Sequence, residues 1–260
     1  MPANPSNESS AQLTLSQVTK RFNGRAGLVT AVEDINLQVK EGEFLVLVGP
    51  SGCGKSTLLN LVASFEPLSS GTLTVGGQPV EAPGPDRGVV FQEAALFPWL
   101  SVWENVVFGP KAQGQMPTQY KERAEQMIEM VGLTEFKNHL PIQLSGGMRQ
   151  RVGIARVLTL GSKVLLMDEP FGALDAQTRL SMQELLLSVW DRIKPTVIFV
   201  THDIDEALFL ADTVHVMSAR PGRIESTIKV DLPRPRKIDV TATPAFNAMK
   251  LSILHTIRGH

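Results

Sequence analysis

The segment Gly49-Pro50-Ser51-Gly52-Cys53-Gly54-Lys55-Ser56-Thr57 constrains this chain more than any other. It lies between a short continuous apolar run, Phe44–Val48, and an apolar helical stretch, Leu58–Val62. That order of buried strand, glycine loop and helix is the context a phosphate-binding loop requires. The glycines let successive backbone N–H groups turn inward around phosphate oxygens, and the helix N-terminus adds a favourable dipole. In such a loop Lys55 supplies a point charge to the β- and γ-phosphates, Ser56 is placed to ligate Mg2+, and Thr57 to hydrogen-bond the α-phosphate. A glycine-rich turn that binds nothing is the alternative. From average glycine usage a chance match in such a chain is on the order of one in a hundred, and the flanking strand and helix lower that further.

Other apolar runs fix the fold class. Val164–Met167 and Val197–Val200, like Phe44–Val48, are short and unbroken, as expected for strands buried on both faces of a parallel sheet. Each ends at a polar loop, and open α/β sheets bind ligands outside the carboxyl ends of their strands. Leu13–Val18, Ala31–Val39 and Gly71–Val75 alternate or are rich in β-branched residues, which predicts half-exposed antiparallel strands. Between Pro98 and Leu158 helical spacing takes over, with Ala124, Met127, Ile128 and Val131 on one apolar face. The prolines of Leu232–Lys237 exclude a central strand, and Phe246, Met249, Ile253 and Ile257 predict a closing amphipathic helix. The expected architecture is α/β: a phosphate-loop core with a mainly parallel sheet, an antiparallel β-subdomain and an inserted helical subdomain.

Val164–Met167 leads directly into Asp168 and Glu169. Two adjacent carboxylates at a strand end repel each other, which makes them a poor structural choice. Roughly a hundred residues after a phosphate loop, they acquire roles: Asp168 can hold Mg2+ through a water, and Glu169 can polarise an attacking water as general base.

Composition narrows the partners. The 260 residues carry a formal net charge of -1, with a pI near 6.5, so no basic excess announces a nucleic-acid surface. The one cysteine, Cys53, precludes an internal disulfide and suits a reducing compartment. The first residues lack the basic and apolar regions of a signal peptide. The longest apolar runs fall far short of the roughly 20 residues a membrane helix needs, so any membrane role requires docking onto spanning subunits.

Leu144-Ser145-Gly146-Gly147-Met148, followed by Arg149-Gln150-Arg151-Val152, resembles the signature motif of the ABC ATPases. Ser145 and the N–H groups of Gly146 and Gly147 at a helix start again form an anion site. The resemblance implies that this motif reaches the γ-phosphate bound to an opposite subunit, so that ATP completes a dimer interface and hydrolysis removes the adhesive. Met148 replaces the commoner glutamine there. The resemblance runs from Leu13 to Arg236 and carries further roles. It places Phe22 against adenine, and gives Gln92 the task of touching Mg2+ and linking core to helical subdomain. It assigns Asp175, in Ala173-Leu174-Asp175, to a loop crossing the dimer interface, and His202 to the γ-phosphate. A lone histidine after a strand is usually structural; its place after the paired carboxylates reverses that reading. Trp99 and Trp103 lie where the family presents a surface to the membrane subunit's coupling helix, and a plain core role serves them equally well.

The implied set is therefore Glu169, His202, Lys55 and Gln92 for catalysis, and Ser56, Gln92 and Asp168 for the metal. The nucleotide falls to Phe22, residues 49–57, Ser145, Gly146, Gly147 and Asp175, with Pro50, Ser51 and Cys53 included as members of the loop. The implied boundaries are a disordered start at 1–11, the ATPase domain at 12–235 with its helical subdomain at about 96–158, and a helical extension at 236–260. Leu96-Phe-Pro-Trp-Leu-Ser, Ser218-Ala-Arg-Pro-Gly-Arg-Ile and Leu232-Pro-Arg-Pro-Arg look most like ATPases of the nitrate, sulfonate and taurine importer group. That resemblance implies a second ATPase subunit, identical or paralogous, two transmembrane permease subunits and an extracytoplasmic solute-binding protein. The chain would sit peripherally on the cytoplasmic face of the membrane. The competing expectation is a soluble ABC ATPase in repair or assembly; those members usually carry long coiled-coil insertions or a second cassette, and neither is seen.

Overall fold

Continuous and alternating apolar runs sort into two separate sheets, as their patterns require. The computed structural model describes residues 11–24 and 27–259; residues 1–10, and with them nearly all of the expected disordered start, lie outside the described residues. Ala11 already opens the first strand. Strands β1 (Ala11–Gly24) and β2 (Gly27–Lys40) pair antiparallel, Ala11 opposite Lys40 and Phe22 opposite Val29. Adding β4 (Ser70–Val75) and β5 (Gln78–Pro79) gives a four-stranded sheet in the order β2-β1-β4-β5. Ile35, Leu37 and Val39 alternate inward along β2 while their neighbours face solvent.

The second sheet runs β10-β9-β3-β8-β7-β6, from β3 (Phe44–Val48), β6 (Arg87–Val90), β7 (Val164–Asp168), β8 (Thr196–Thr201), β9 (Thr213–Met217) and β10 (Ile224–Lys229). All pairings are parallel except the edge pair β9–β10. All five residues of β3 are buried, and period-2 alternation sends them to opposite layers. Phe44, Val46 and Val48 join the larger core against the helices, whereas Leu45 and Leu47 pack with helix α1 (Lys55–Val62) and the antiparallel sheet. Burying each such side chain stabilises the fold by about 1.5–3 kcal/mol relative to exposure.

Between β6 and β7 the chain is helical, as its spacing predicts: α2 (Val102–Ala112), α3 (Pro117–Met130) and α4 (Gly146–Leu160). Ala124, Met127, Ile128 and Val131 all face the core. Asn105, fully buried on α2, locks the preceding loop: its Nδ2 donates to the carbonyls of Phe97, Leu100 and Ser101, and its Oδ1 accepts from Phe97 N. Trp99 in that loop is 71% exposed, while Trp103 packs against the core beneath Lys137, as its core reading expects.

The remaining helices are α5 (Ala176–Ile193), α6 (Ile204–Leu210) and α7 (Pro244–Arg258). The closing helix lies where expected, with Phe246 and Ile253 buried and Met249 and Ile257 packed at its edge. Before it, the Leu232–Lys237 segment forms no strand. It is tied down by side chains instead. Arg236 donates to the carbonyls of Leu208, Phe209, Ala211, Val230 and Leu232, satisfying chain ends that a helix and a loop leave unpaired. Burial pushes its guanidinium down to about 10, since the charged form loses water that carbonyls only partly replace. Arg234 pairs with Asp212 at 2.9 Å and stacks on Trp190. Positions 234 and 236, on either side of the expected 235/236 boundary, thus anchor in the same core.

Candidate nucleotide-binding site

Because β3, β6, β7 and β8 are parallel, their carboxyl ends share one edge of the sheet, and the motif residues gather there. The loop after β3 wraps the start of α1. Gly54, the residue preceding that helix, holds φ at +98°, and a Cβ there would lie 2.6 Å from Val32 Cγ1. Only glycine allows both the turn and the approach to β2. Lys55 is 5% exposed, and its Nζ donates to Gly49 O at 2.8 Å and Pro50 O at 3.1 Å. The cation is thus held at the centre of its own loop.

Ser51, Gly52, Gly54, Lys55, Ser56 and Thr57 line a cavity of about 780 Å³, together with Glu169, His202, Arg220 and the β2 residues Val29, Thr30 and Ala31. Gly49, Pro50 and Cys53 do not line it; the first two serve Lys55, and Cys53 is fully buried. Ser56 Oγ donates to Asp168 Oδ1 at 2.9 Å, which joins two of the expected metal residues. Burial raises the Asp168 carboxyl above its usual range, the Ser56 hydrogen bond opposes that, and neighbouring Glu169 adds to it. A carboxylate under that pressure, beside a hydroxyl and a phosphate cradle, is a donor set of hard oxygens that suits Mg2+. No group of three or more His, Cys, Asp or Glu side chains converges among the described residues.

Glu169 takes a left-handed φ of +43°, fixed by hydrogen bonds from its N to Val200 O and from Gly172 N to its carbonyl, both 3.0 Å. This turn aims its carboxylate at His202, whose Nδ1 lies 2.9 Å from Glu169 Oε2. Gln92 does not line the cavity, but a Cβ on Gly172 would stand 3.3 Å from Gln92 Nε2 and 3.8 Å from Glu169 Oε2, so both side chains border that glycine. Phe22 is 37% exposed beneath Lys20, one strand away from Val29, and is likewise outside the lining.

The Ser145 segment is elsewhere. Ser145 caps α4 by accepting from Met148 N at 3.3 Å, and Ser145 and Gly146 are exposed. Gly146 borders a second cavity, of about 550 Å³, with Gln92, Arg149 and Leu174. None of residues 144–148 lines the phosphate-loop cavity. Asp175 caps α5 through Thr178 N at 3.0 Å, and the Thr178 side chain and then its N–H hold the exposed carboxyl below the usual range. Helix α4 is nevertheless tied to the Gln92 segment, since Gln150 Nε2 donates to Phe91 O at 2.9 Å and Arg156 to Ala94 O and Ala95 O. Sequence reasoning singled out none of these ties, and it used the Ser218–Ile224 segment as a mark of the importer group without giving Arg220 a role at the site. An Arg-Pro-Gly turn just after the apolar Val214–Met217 run was the available signal for a hairpin at the site.

Known proteins share this sequence and fold. Residues 32–172 match the family model described as ABC transporter. The chain is 44% identical to a nitrate import ATP-binding protein, NrtD, of Synechocystis sp., with 95% of each chain covered. It is 52% identical to a taurine import ATP-binding protein, TauB, of Rhizobium johnstonii, over 82% of each. Among solved structures it resembles the ATP-binding cassette MJ0796, described as a dimer in a post-hydrolysis state with ADP and Pi. That match has a TM-score of 0.71 and 33% identity, covering 85% of this chain and 100% of the other. The sequence relationship covers the strands and loops that build the cavity, so the chain belongs to the ABC transporter family as an ATP-binding cassette.

Proposed function

We propose that this chain is the ATP-hydrolysing subunit of a membrane importer for a small anion, working as a pair of cassettes on the cytoplasmic face of the membrane. One observation carries the reading: a phosphate loop has its acid–base partners in place, while the second anion-binding helix start opens onto a different cavity. A site divided in this way is completed by a second subunit, identical or paralogous, whose Ser145, Gly146 and Gly147 meet the γ-phosphate.

Within one chain, Gly52, Gly54 and the first N–H groups of α1 receive the phosphate oxygens, and Lys55 exchanges its two carbonyl partners for the β- and γ-phosphates. Phe22 and Val29 meet the adenine. Ser56 and Asp168, with Gln92, would hold Mg2+, which would supply positive charge to neutralise the phosphates. Glu169 Oε2 accepts the proton of the attacking water, and His202, in contact with that oxygen, orients the carboxylate and faces the γ-phosphate. Asp175 crosses to the partner. The nitrate and taurine relatives support a small anion as cargo, and with it two permease subunits and an extracytoplasmic solute-binding protein.

The test is uptake of labelled nitrate, taurine and related small anions in cells lacking this chain, complemented by wild type or by Lys55→Ala. Loss of uptake of one anion, restored by wild type alone, is the expected result. Unchanged uptake of all of them removes the importer assignment, while ATP hydrolysis by the purified chain tests the motor separately.

A further inference from the structure

The turn between β9 and β10 is stitched to its surroundings on two sides. Ser218 N donates to Arg223 O at 2.9 Å, and Arg223 N to Ser218 Oγ at 3.1 Å. Gly222 N donates to Ala31 O, and Gly222 O accepts from Glu33 N, both at 2.9 Å, which fixes the turn to β2. On its other side Gly222 abuts the phosphate loop so closely that a Cβ would collide with Cys53 O. The turn therefore cannot slide relative to that loop. Within it, Arg220 holds φ at +39°, a conformation that residues with a side chain rarely adopt.

Arg220 shares the cavity with Lys55, Ser56, Glu169 and His202. A Cβ on Gly52, inside the phosphate loop, would lie 3.9 Å from Arg220 Nη2. Neighbouring Arg223 is committed to Glu33 at 2.5 Å, and Lys55 to its loop carbonyls. Among the described residues lining this cavity, Arg220 is a cation with neither a hydrogen bond nor an ion pair. A planar guanidinium with five donors in a fixed fork matches phosphate oxygens better than any other side chain.

Resting on the ATP-binding reading above, we propose that Arg220 is a second phosphate-binding cation, contacting the polyphosphate of the nucleotide held by its own chain. Its backbone is set by the turn rather than by the nucleotide, and its guanidinium stands beside Gly52 of the loop. A contact of this kind is made to bound ATP and to the transition state alike, so it lowers KM more than it raises kcat.

The experiment compares full-length wild type, Arg220→Ala and Arg220→Lys for equilibrium ATP binding by calorimetry with Mg2+ at low salt and at about 0.5 M NaCl. Steady-state KM and kcat are measured alongside. Arg220→Ala is expected to weaken ATP binding by about three- to tenfold and to raise KM similarly, with a smaller change in kcat. Arg220→Lys restores part of the loss, and the deficit shrinks at high salt as the contact is screened. Wild-type affinity in Arg220→Ala overturns the proposal. So does a loss that neither lysine nor salt alters, because the residue then shapes the turn and does not bind phosphate. Absence of ATP binding by wild type rejects the nucleotide reading itself and is thereby distinguished from both.

Discussion

The phosphate-loop edge and the Ser145 helix start offer the same chemistry, backbone N–H donors at a helix N-terminus, yet the paired acid, hydroxyl and imidazole groups gather only at the first. At the first, Lys55, the Ser56–Asp168 pair and the Glu169–His202 pair stand around one cavity. At the second, Ser145 caps its own helix and Gly146 borders the separate cavity with Glu93 and Arg149. The contrast teaches that charge recognition and bond cleavage are separated along the chain. On the proposed reading one region holds and cleaves ATP and the other senses the phosphate, which suits a clamp closed by ATP and opened by hydrolysis.

The sharpest way to break that contrast is Glu169→Gln. With the proton acceptor gone, hydrolysis falls by about 10²–10⁴-fold while ATP binding persists. Size-exclusion chromatography with ATP and Mg2+ then gives a dimer; a monomer under those conditions contradicts the clamp. Ser145→Arg probes the second region, and hydrolysis is lost while the monomer still binds ATP. Mixing it with Lys55→Ala sharpens the comparison further, since a mixed pair has one site with both halves intact. Partial recovery of ATPase activity on mixing is expected, and none would falsify the shared site.

A smaller effect separates the sheet beneath the phosphate loop from the helices. His215, on β9 opposite Leu47 of β3, is held by burial at about 4, against an ordinary value of 6.5, with Nδ1 2.8 Å from Thr227 Oγ1. Between those values the unfolded chain binds the extra proton and the folded chain does not. Stability therefore falls as pH drops from about 6.5 towards 4, by about 1–2 kcal/mol at pH 5 from this group. His215→Gln removes the titration, so its urea midpoint declines less than wild type between pH 7 and pH 5; parallel declines would show that His215 is not responsible.

Strands β3, β7 and β8 were legible because side chains buried on both faces leave an unbroken apolar run. Strand β6 was not. It opens on buried Arg87, paired with Asp86, and contains Gly88, where a Cβ would collide with Val157 of α4. Its residue types are dictated by a neighbouring helix and show no period of their own. Among the site residues, those of the loop are contiguous in sequence, as are the paired carboxylates, and both sets announce themselves. Arg220 and the Gln150 and Arg156 ties do not, because each acquires its role from a partner far along the chain.

The sequence by itself determined the phosphate loop, the acid pair, the signature segment and the parallel core, since each is a local pattern in which spacing dictates geometry. Only the tertiary structure decided that Glu169 meets His202, that Ser56 meets Asp168, and that Ser145 opens away from both. Those outcomes depend on strand order and on the docking of α4, and hence on packing between elements that are distant in the chain.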